Sequence, residues 1–378
     1  MRPRKVCYIT GTRADFGLMQ STLQRIHASD TFELSIIVTG MHLMVEHGFT
    51  VRQIEEATLP IVARVTVETG VPSGALMASN IGRMLIGFVS ALQAIQPDVV
   101  LVLGDRGEML AGALAAMHLD IPVAHIHGGE RSGTVDEPVR HAISKLAHFH
   151  FVATEESRER LVRMGEAADR VSVVGAPGLD DVNNIILVRR EDLCRRVGFD
   201  PHGLVGLFVY HPVLQEAASS EEHARNIVDA MLAKNLQVVA LRPNSDAGSA
   251  GVRRMLENRA AAGEIYLATN LPRNEFLSWL AKTNLMAGNS SAGIIEAASF
   301  GTPVVNVGSR QNLRQRNSNV FDCTSDRNDL DRAIEAALSS PRFDGTNVYG
   351  DGQAGERIIN LLAGIDLAGA SSAKTNVY

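Results

Sequence analysis

The chain has 378 residues, of which 45% are hydrophobic and 21% are charged, and its formal net charge is -6. This length accommodates two ordinary domains of roughly 150 to 200 residues, each with its own core. The negative charge argues against bulk attraction to nucleic acid or to an anionic membrane. We therefore expect a small molecule as partner, and an anionic ligand would have to be held by a few placed cations.

The cysteines and the N-terminus predict a cytoplasmic location. Cys7, Cys194 and Cys323 are far apart and lack metal-ligand spacing, which is typical of reduced, buried thiols. The basic start MRPRK is followed by a short apolar run, too short for the core of a signal peptide. We find no run close to the roughly 18 apolar residues of a membrane span.

Short apolar runs recur along the first half of the chain, with helical stretches between them. The first run is followed by the turn TGTRAD, and a helix is predicted to begin near Phe16, which leaves Arg13 and Asp15 in the turn. The apolar positions of 75–95 fit a long helix. The predicted strands are 6–10, 34–38, 99–103, 123–126, 149–153 and 171–174.

A second series of strands follows the polar stretch 180–203. It comprises 205–210, 238–241, 265–268, 285–287 and 304–307, and helices are predicted at 327–338 and near 357–362. Strands that alternate with helices predict parallel sheets covered on both faces. The fold class is therefore α/β, with two Rossmann-like doubly wound domains facing a central cleft. The predicted divisions are an N-terminal domain, a C-terminal domain, and a C-terminal helix with a frayed tail, at 1–190, 191–350 and 351–378.

The carboxyl ends of parallel strands are where open α/β sheets keep their ligands, so the loops there are the candidate sites. Arg13 and Asp15 would lie at the end of the first strand. Asp105 and Arg106 directly follow the strand 99–103. On local pattern, Asp105 fits a helix cap and a catalytic carboxylate equally well.

The most polar of these loops follows the strand 123–126 and reads HGGERSGTVDE. Glu130, Asp136 and Glu137 place three carboxylates within eight residues. A metal site is one interpretation, because His125 and His127 would share one face of the strand. We expect no metal, because these histidines lack the helical H-x-x-x-H spacing and no cysteine accompanies them.

Two loops of the second half carry further candidates. His211 precedes a proline, which forces an extended backbone, so the imidazole is expected to project from the tip of its strand. The loop LRPNSDAGS after the next strand contributes Asn244. A histidine that faces a cleft in this way is a candidate for contact with a ligand.

The stretch GNSSAGIIE is the sharpest single motif. Ser290 and Ser291 open a helix whose free amides would attract phosphate, although a serine there is also an ordinary N-cap. Glu296 is placed to meet a hydroxylated group such as a ribose, and Arg310 in the following GSRQ is a further cation for phosphate. The chain lacks the Walker pattern and a strict G-x-G-x-x-G after the first strand, which disfavours kinases and dehydrogenases.

These motifs together resemble those of one family. TGTRADFG, GDR, GGE with SGTVDE and RHAISKLAH, HPV, and GNSSAG with GSRQ occur in one order across roughly residues 5–316. They are similar to the hydrolysing UDP-N-acetylglucosamine 2-epimerases, in particular the sialic-acid and legionaminic-acid branch. The resemblance implies the GT-B architecture, homodimers or homotetramers, and chemistry without metal or NAD. It also implies elimination of UDP to a 2-acetamidoglucal, followed by hydration to the free 2-epimeric sugar.

The resemblance also implies roles for individual residues. Asp105 and Glu130 match carboxylates of proton transfer, and Asp136 and Glu137 match an acidic pair. The positions expected to contact the diphosphate, the nucleotide or the sugar are Arg13, Arg106, His127, His211, Asn244, Ser290, Ser291, Glu296 and Arg310. His127 departs from the pattern, because many relatives carry glutamate there, in HIEGGE.

The chemistry suggests how the acidic residues divide their work. Crowded carboxylates repel, so we expect one to have a raised pKa and to serve as the acid of hydration. Asp105 and Glu130 are expected to be base and acid in an order left open, and Asp136 could replace either. The usual products would be UDP and N-acetylmannosamine. The alternatives are the same reaction on UDP-2,4-diacetamido-2,4,6-trideoxyglucose, a non-hydrolysing epimerase, a GT-B glycosyltransferase and a non-catalytic UDP-sugar sensor.

Overall fold

The computed structural model describes residues 2–180, 182, 185–367 and 374–377, and within them the chain forms two parallel sheets. The strands of the first sheet are β1 (Arg4–Thr10), β2 (Phe32–Thr39), β3 (Ile61–Val65), β4 (Val99–Leu103), β5 (Val123–Ile126), β6 (Phe149–Val152) and β7 (Val171–Val173). Their order across the sheet is β3-β2-β1-β4-β5-β6-β7. The order reverses beside β1, so the loops after β1 and β4 flank a crevice.

Helices cover both faces of this sheet. They are α1 (Arg13–His27), α2 (Val51–Glu56), α3 (Gly74–Ile95), α4 (Gly107–His118), α5 (Asp136–Leu146) and α6 (Glu155–Arg163). One apolar cluster packs beneath α1 and contains Tyr8 and Phe16, and another packs beneath α3 and α4 and contains Ile9 and Phe88. Because Tyr8 and Ile9 are consecutive and point to opposite faces, β1 is buried on both sides.

The second sheet is built in the same way. Its strands are β8 (Val205–Val209), β9 (Gln237–Leu241), β10 (Ile265–Ala268), β11 (Leu285–Gly288), β12 (Val304–Val307) and β13 (Val320–Cys323), in the order β10-β9-β8-β11-β12-β13. Its helices are α8 (Ser220–Ala233), α9 (Ser249–Ala261), α10 (Arg273–Lys282), α11 (Ser291–Ile295) and α12 (Arg327–Ser339). The order reverses between β8 and β11, so this sheet also places a crevice at its carboxyl edge.

Two helices lie outside the simple alternation. Helix α7 (Arg190–Val197) lies between the sheets in sequence, and its Leu193 and Cys194 pack into the core of the second sheet. Helix α13 (Ala354–Gly364) returns to the first sheet, where Ile358 and Leu362 join the cluster beneath α1. The chain therefore crosses between the two sheets twice, and the segment 351–367 packs with the first half.

Eleven of the strands lie where the sequence predicted them, within one or two residues at each end. The prediction missed β3 and β13, each of which is one of the two edge strands of its sheet. In β3 partly buried and exposed residues alternate, and β13 has no fully buried residue, so neither forms a continuous apolar run. The helix predicted over 75–95 is confirmed as α3.

The start of α1 differs from the prediction, and it shows that the Asp15 side chain caps the helix. The helix begins at Arg13, with Thr12 as its N-cap, so neither Arg13 nor Asp15 lies in a loop. The Asp15 carboxylate accepts hydrogen bonds from the amides of Gly11 and Thr12 at 3.0 and 3.1 Å, forming a capping box. A side chain at Gly11 would collide with Glu108, because its Cβ would lie 2.7 Å from Glu108 Cγ.

Helix α3 contradicts the expectation that no run approaches a membrane span. It has 22 residues with a window of mean hydropathy 1.5, and only 22% of that window is buried. Met84, Phe88 and Leu92 pack against the first sheet, whereas Ile86 is 73% exposed. The core helix of a soluble protein can have this composition too, and the exposed side of α3 is an apolar surface without a partner in the single chain.

Candidate active site

A cavity of about 290 Å³ lies between the carboxyl edges of the two sheets. Three carboxylates reach it, from Asp15, Asp105 and Glu296, against seven arginines: Arg13, Arg106, Arg140, Arg242, Arg273, Arg310 and Arg314. In a chain whose net charge is -6, this local excess of cations favours an anionic ligand. We call it the arginine-lined cavity.

This cavity brings together ten of the thirteen residues predicted from the sequence: Arg13, Asp105, Arg106, His127, His211, Asn244, Ser290, Ser291, Glu296 and Arg310. Asp136 lines a neighbouring cavity instead. Glu130 and Glu137 line neither. The three exceptions all come from the loop after β5 and the first turn of α5.

Arg13 faces the arginine-lined cavity without an acidic partner. It has no hydrogen bond or ion pair to any described residue, and its Nε is buried without an acceptor. Burial and the nearby Arg273 lower the pKa of Arg13 to about 10. A cation in this position would be stabilised by a bound anion, which is what a diphosphate supplies.

His211 is fixed by its own backbone and by its neighbours. The backbone NH of His211 donates to Asn289 Oδ1 at 2.7 Å, and Asn289 Nδ2 donates to the His211 carbonyl at 2.8 Å. The amide of Asn244 donates to His211 Nδ1 at 3.3 Å, so the neutral ring carries its proton on Nε2. Burial and Arg310 lower the pKa of His211 to about 3, and a neutral N–H donor therefore faces the cavity.

The loop after β11 places Ser290 and Ser291 at the cavity wall. Ser290 Oγ accepts from the amide of Ala292 at 3.4 Å, which confirms the N-cap interpretation, and Ser291 is the first residue of α11. Glu296 lies just beyond the helix rather than within it, since α11 ends at Ile295. Glu296 pairs with Arg273, a residue that the sequence analysis did not select.

Two ion pairs, each between an arginine of one half of the chain and an aspartate of the other, cross the cleft. Arg310 Nη2 lies 3.4 Å from Asp136 Oδ2, and Arg106 Nη2 lies 3.4 Å from Asp246 Oδ1. Gly133 faces the opposite sheet so closely that a Cβ there would lie 2.0 Å from the Ser309 carbonyl oxygen. The two halves are therefore in contact around the cavity in this structure.

Asp105 stands where the arginine-lined cavity meets its neighbour, and it lines both. It does not cap α4, whose N-cap is Arg106 without a side-chain hydrogen bond. Oδ2 of Asp105 is held by Arg140, and Arg314 Nη2 lies 3.7 Å from the same oxygen. Oδ1 has no hydrogen bond to any described residue, so one carboxylate oxygen is held while the other faces the cleft.

Glu130 is engaged on both of its oxygens. Oε1 is hydrogen-bonded to His127 Nδ1 and Oε2 to Arg314, and the residue is 3% exposed. Burial alone would raise the pKa of Glu130, but Arg314 and His127 outweigh it and lower the pKa below its usual value. The expectation that crowding raises a catalytic carboxylate's pKa is therefore wrong for Glu130, because arginines separate the acids.

The raised pKa in this region belongs to Asp15, mainly because the carboxyl group is buried. Its oxygens accept hydrogen bonds from the Gly11 amide and the Thr10 hydroxyl, so it is occupied in capping α1. Glu137 is also structural, since its Oε2 accepts from the Ser132 amide at 2.6 Å. It orders the loop that leads into α5.

The two histidines of the loop do not share a face. Strand β5 ends at Ile126, and His127 has a φ of 62°, which turns its side chain away from the strand alternation. His125 is fully buried, with Nε2 2.7 Å from the Gly104 carbonyl oxygen and Nδ1 3.0 Å from Ser144 Oγ. Among the described residues no group of three histidine, cysteine or acidic side chains is placed to hold a metal ion.

The sequence analysis missed the buried arginines. Arg314 lies four residues after Arg310 in GSRQNLRQRN, and Arg140 lies in RHAISKLAH. Both arginines therefore lie within or beside motifs that the sequence analysis singled out. An arginine on a local pattern looks like solvated surface, and only the packing reveals that the Arg140 side chain is 1% exposed and that of Arg314 8%. Asn289, which holds His211, was overlooked beside the two serines.

A second cavity adjoins the first and is more apolar. It shares Met41, Asp105, Arg106 and Arg310 with the arginine-lined cavity. Part of its apolar wall comes from the loop after β2 and from α3, and this part consists of Met41, Met44, Leu76, Met77 and Ile81. We call it the apolar chamber.

Comparison with known proteins agrees with this geometry. The family described as UDP-N-acetylglucosamine 2-epimerase matches residues 24–363. A UDP-N,N'-diacetylbacillosamine 2-epimerase (hydrolyzing) of Legionella pneumophila is 48% identical over 99% of this chain and 100% of its own length. A UDP-N-acetylglucosamine 2-epimerase of Neisseria meningitidis is 34% identical over 92% of this chain and 91% of its own.

Solved structures give the fold independently. A UDP-GlcNAc 2-epimerase from Neisseria meningitidis bound to UDP-GlcNAc matches with a TM-score of 0.78 at 19% identity, covering 95% of this chain and 99% of its own. The S. aureus MnaA-UDP co-structure matches with a TM-score of 0.80 at 20% identity, over 99% and 100%. These matches confirm the GT-B architecture predicted from the sequence. The chain therefore belongs to the hydrolysing UDP-N-acetylglucosamine 2-epimerase family and is an enzyme of the UDP-sugar 2-epimerase type.

Proposed function

We propose that this enzyme converts UDP-N,N'-diacetylbacillosamine, in which the sugar is 2,4-diacetamido-2,4,6-trideoxyglucose, into UDP and the free 2-epimeric sugar. The product would serve biosynthesis of legionaminic acid or a related nonulosonate. The observation that carries the proposal is the arginine-lined cavity, where Arg13 and the His211 N–H face a site without acidic partners. The relative at 48% identity supports the choice of sugar.

The diphosphate would lie against Arg13, Arg310 and the Nε2–H of His211. These groups are in place before the reaction, so they stabilise the leaving diphosphate as its charge grows without reorganisation. Because His211 is neutral, it donates a hydrogen bond and does not transfer a proton at neutral pH. Glu296, aligned by Arg273, would hold the ribose and fix the nucleotide in register.

The sugar would lie beside Asp105, at the junction of the two cavities. Oδ1 of Asp105 takes the proton from C2, the C1–O bond breaks, and its electron pair leaves with UDP to give a 2,4-diacetamidoglucal. Arg140 holds the other carboxylate oxygen and so keeps Oδ1 aimed at the cleft. Water then adds its oxygen to C1, and C2 receives a proton on the face opposite to the one from which Asp105 removed the first proton.

The apolar chamber supports a 6-deoxy sugar with two acetamido groups. In this sugar C6 is a methyl group and C4 carries an acetamido group, where N-acetylglucosamine has a hydroxyl group on both carbons. Met44, Leu76 and Met77 offer an apolar wall next to Asp105 and would bury the added methyl groups favourably. A site of this kind separates the two sugars by about 1–3 kcal/mol per group.

UDP-N-acetylglucosamine, with N-acetylmannosamine as product, is the second candidate. The 34% identity to the meningococcal UDP-N-acetylglucosamine 2-epimerase favours it. We propose it as the weaker substrate, because Met44, Leu76 and Met77 in the wall of the apolar chamber cannot replace the water that the 4- and 6-hydroxyl groups would lose against them.

One experiment separates the candidates. The purified protein is incubated in D2O, with a chelator, with each UDP-sugar in turn, and the products are followed by NMR. We expect UDP and the free diacetamido sugar with deuterium at C2, at a kcat/KM at least tenfold above that for UDP-N-acetylglucosamine. A higher kcat/KM for UDP-N-acetylglucosamine would reverse the assignment of the substrate. Epimerisation of the UDP-sugar without release of UDP would indicate the non-hydrolysing reaction. No turnover of either UDP-sugar would leave a glycosyltransferase or a sensor.

A variant of the apolar chamber sharpens the test. Met77→Gln is expected to lower kcat/KM for the diacetamido substrate about tenfold and to leave UDP-N-acetylglucosamine within about threefold. Equal losses for both substrates would remove the apolar chamber from substrate selection. Val377→Gln, in the exposed C-terminal segment, serves as the matched control.

We also propose a cytoplasmic homo-oligomer. The exposed side of α3, with Ile86 at its centre, is an apolar surface that a second copy of the chain could cover. All three cysteines are free, which suits a reducing compartment. Light scattering after gel filtration should give at least a dimer for the wild type and a monomer for Ile86→Glu, and a monomeric wild type would refute the interface.

A further inference from the structure

His127 occupies an unusual backbone position that aims it into the cleft. Six described residues other than glycine have a positive φ, and His127 is the one among them that lines either cavity. Such a conformation costs free energy in an L-residue and is found mostly where function requires it. The His127 amide donates to the Phe151 carbonyl on β6 at 3.1 Å, which ties the strained residue to the sheet.

The partner of His127 sets its tautomer. Glu130 has a lowered pKa and is therefore an acceptor, so the hydrogen between the two residues belongs to His127 Nδ1. His127 Nε2 has no hydrogen bond to any described residue, and it is the nitrogen left to exchange a proton in the arginine-lined cavity. A carboxylate that fixes an imidazole in this way is the arrangement found in general acid–base catalysis.

Glu130 itself is out of reach of a substrate. It lines neither cavity, and both of its oxygens are already engaged by His127 and Arg314. Arg314 also approaches Asp105, so one arginine spans the two carboxylates and holds them at a fixed separation. Glu130 can therefore act on the sugar only through the residues that it holds, His127 and Arg314.

We propose that His127 Nε2 donates the proton that C2 receives during hydration, with Glu130 as its positioning residue. The inference rests on the proposed hydrolysing epimerase reaction. It gives the second proton transfer to a histidine, whereas Asp105 performs the first. Glu130 is then no acid or base itself, in contrast to the role that the sequence predicted.

The step balances as follows. The C1=C2 double bond of the glucal takes the proton from Nε2 of the imidazolium, and the oxygen of water bonds to C1. The proton released by that water passes to solvent. Asp105, protonated during elimination, returns its proton through solvent to His127 and restores both groups for the next cycle.

The ionisable groups around His127 come from two elements and three loops. Glu130 follows it in its own loop, His125 precedes it on β5, Asp105 follows β4, and Arg140 projects from α5. Arg314 reaches the same pair from the loop between β12 and β13. His125 is neutral because burial lowers its pKa to about 3, so it does not compete for the proton.

The two half-reactions give a direct test with His127→Gln. UDP release from the substrate is expected to fall less than tenfold, whereas hydration of added diacetamidoglucal in the presence of UDP should fall at least 100-fold. The variant should therefore accumulate the glucal, which NMR detects. Loss of UDP release with unimpaired hydration would overturn the proposal, as would near-normal rates in both halves.

Glu130→Gln tests the positioning role. It should show the same loss of hydration with substrate KM within about threefold, and the alkaline limb of the hydration pH profile should shift. NMR of 15N-labelled histidine in the UDP complex, followed as the pH is raised until the imidazolium has lost one proton, should find the neutral His127 ring as the Nδ1–H tautomer in the wild type and as a mixture in Glu130→Gln. An unchanged tautomer in the folded, UDP-bound variant would reject the positioning role, whatever the rate of that variant.

The controls separate this inference from the proposed function. His202→Gln changes an exposed histidine remote from the cleft and should leave both half-reactions unchanged. Bound UDP and an unaltered thermal transition in His127→Gln show that the fold survives. A wild type without turnover of either UDP-sugar would refute the proposed function, whereas a normal wild type with an unaffected His127→Gln would refute only the histidine's role.

Discussion

The two ends of the cleft, which we propose to bind the nucleotide and the sugar, differ in whether their charged and polar groups are already paired within the protein. At the nucleotide end, Arg13 and His211 point donors into the arginine-lined cavity without acidic partners. At the sugar end, Asp105 and Glu130 are held by Arg140 and Arg314 before any substrate arrives. If the proposed roles hold, binding relies on charge that only the ligand satisfies, whereas proton transfer relies on groups whose geometry the protein fixes in advance.

The largest effect on activity should come from a substitution at the sugar end, where the carboxylates are held by arginines. Asp105→Asn removes the base but preserves the size of the side chain, so kcat is expected to fall about 10²- to 10⁴-fold. Calorimetry should find UDP bound within about threefold of the wild type, because the nucleotide end is intact. Turnover near that of the wild type would exclude Asp105 from the reaction.

The next largest effect tests what Arg314 contributes to the fold. Arg314→Met leaves Glu130 buried without its cation, and the free energy of unfolding should fall by about 3 kcal/mol. Urea denaturation at pH 7 measures it. The double variant Glu130→Gln with Arg314→Met should recover part of the loss, since no unpaired charge is left, and a double variant as weak as the single one would contradict this account.

The same pair predicts a pH dependence. The folded-state pKa of Glu130 lies below its ordinary value, so the stability from this pairing is present above about pH 4.5 and is lost as the pH falls through the folded pKa. The difference in unfolding free energy between wild type and Arg314→Met should therefore shrink as the pH falls from 7 towards 3. A difference that stays constant over this range would show that Arg314 acts through packing alone.

A smaller effect is expected at the nucleotide end. Arg13→Met should weaken UDP binding about 10- to 100-fold and should leave the free energy of unfolding nearly unchanged, because Arg13 has no ion pair to lose. The exposed Arg332→Met is the matched control, and its UDP affinity should equal that of the wild type. A marked loss of stability in Arg13→Met would mean that the two ends are less different than we describe.

The smallest effect should come from a pair that crosses the cleft. Asp246→Asn releases Arg106 from a partly exposed ion pair at 3.4 Å, worth less than about 1 kcal/mol. UDP should bind equally well or up to about threefold more tightly, since the ligand no longer competes with Asp246. Weaker UDP binding in calorimetry would show that Asp246 holds Arg106 in the orientation that binds UDP and does not compete with UDP for it.

The sequence by itself determined the architecture and most of the cavity wall. Apolar runs such as that of β4 specify buried parallel strands wherever they fold, because both faces of the sheet are covered. Parallel strands place their carboxyl ends at one edge of a sheet, so Arg13 and Asp105 had to lie at one edge of the first sheet and Ser290 at the corresponding edge of the second. These inferences need only local patterns and the rule of sheet topology.

Only the tertiary structure decided which charges are paired and which are left free. Arg314 and Glu130 are 184 residues apart, and no local pattern indicates that one arginine reaches both Asp105 and Glu130. The same holds for α13, whose return to the first sheet depends on a surface formed by distant residues. Burial and pairing set the ionisation of a side chain, and both are properties of the assembled cleft, so the roles that we propose for Asp105, His127 and Glu130 could be inferred only from it.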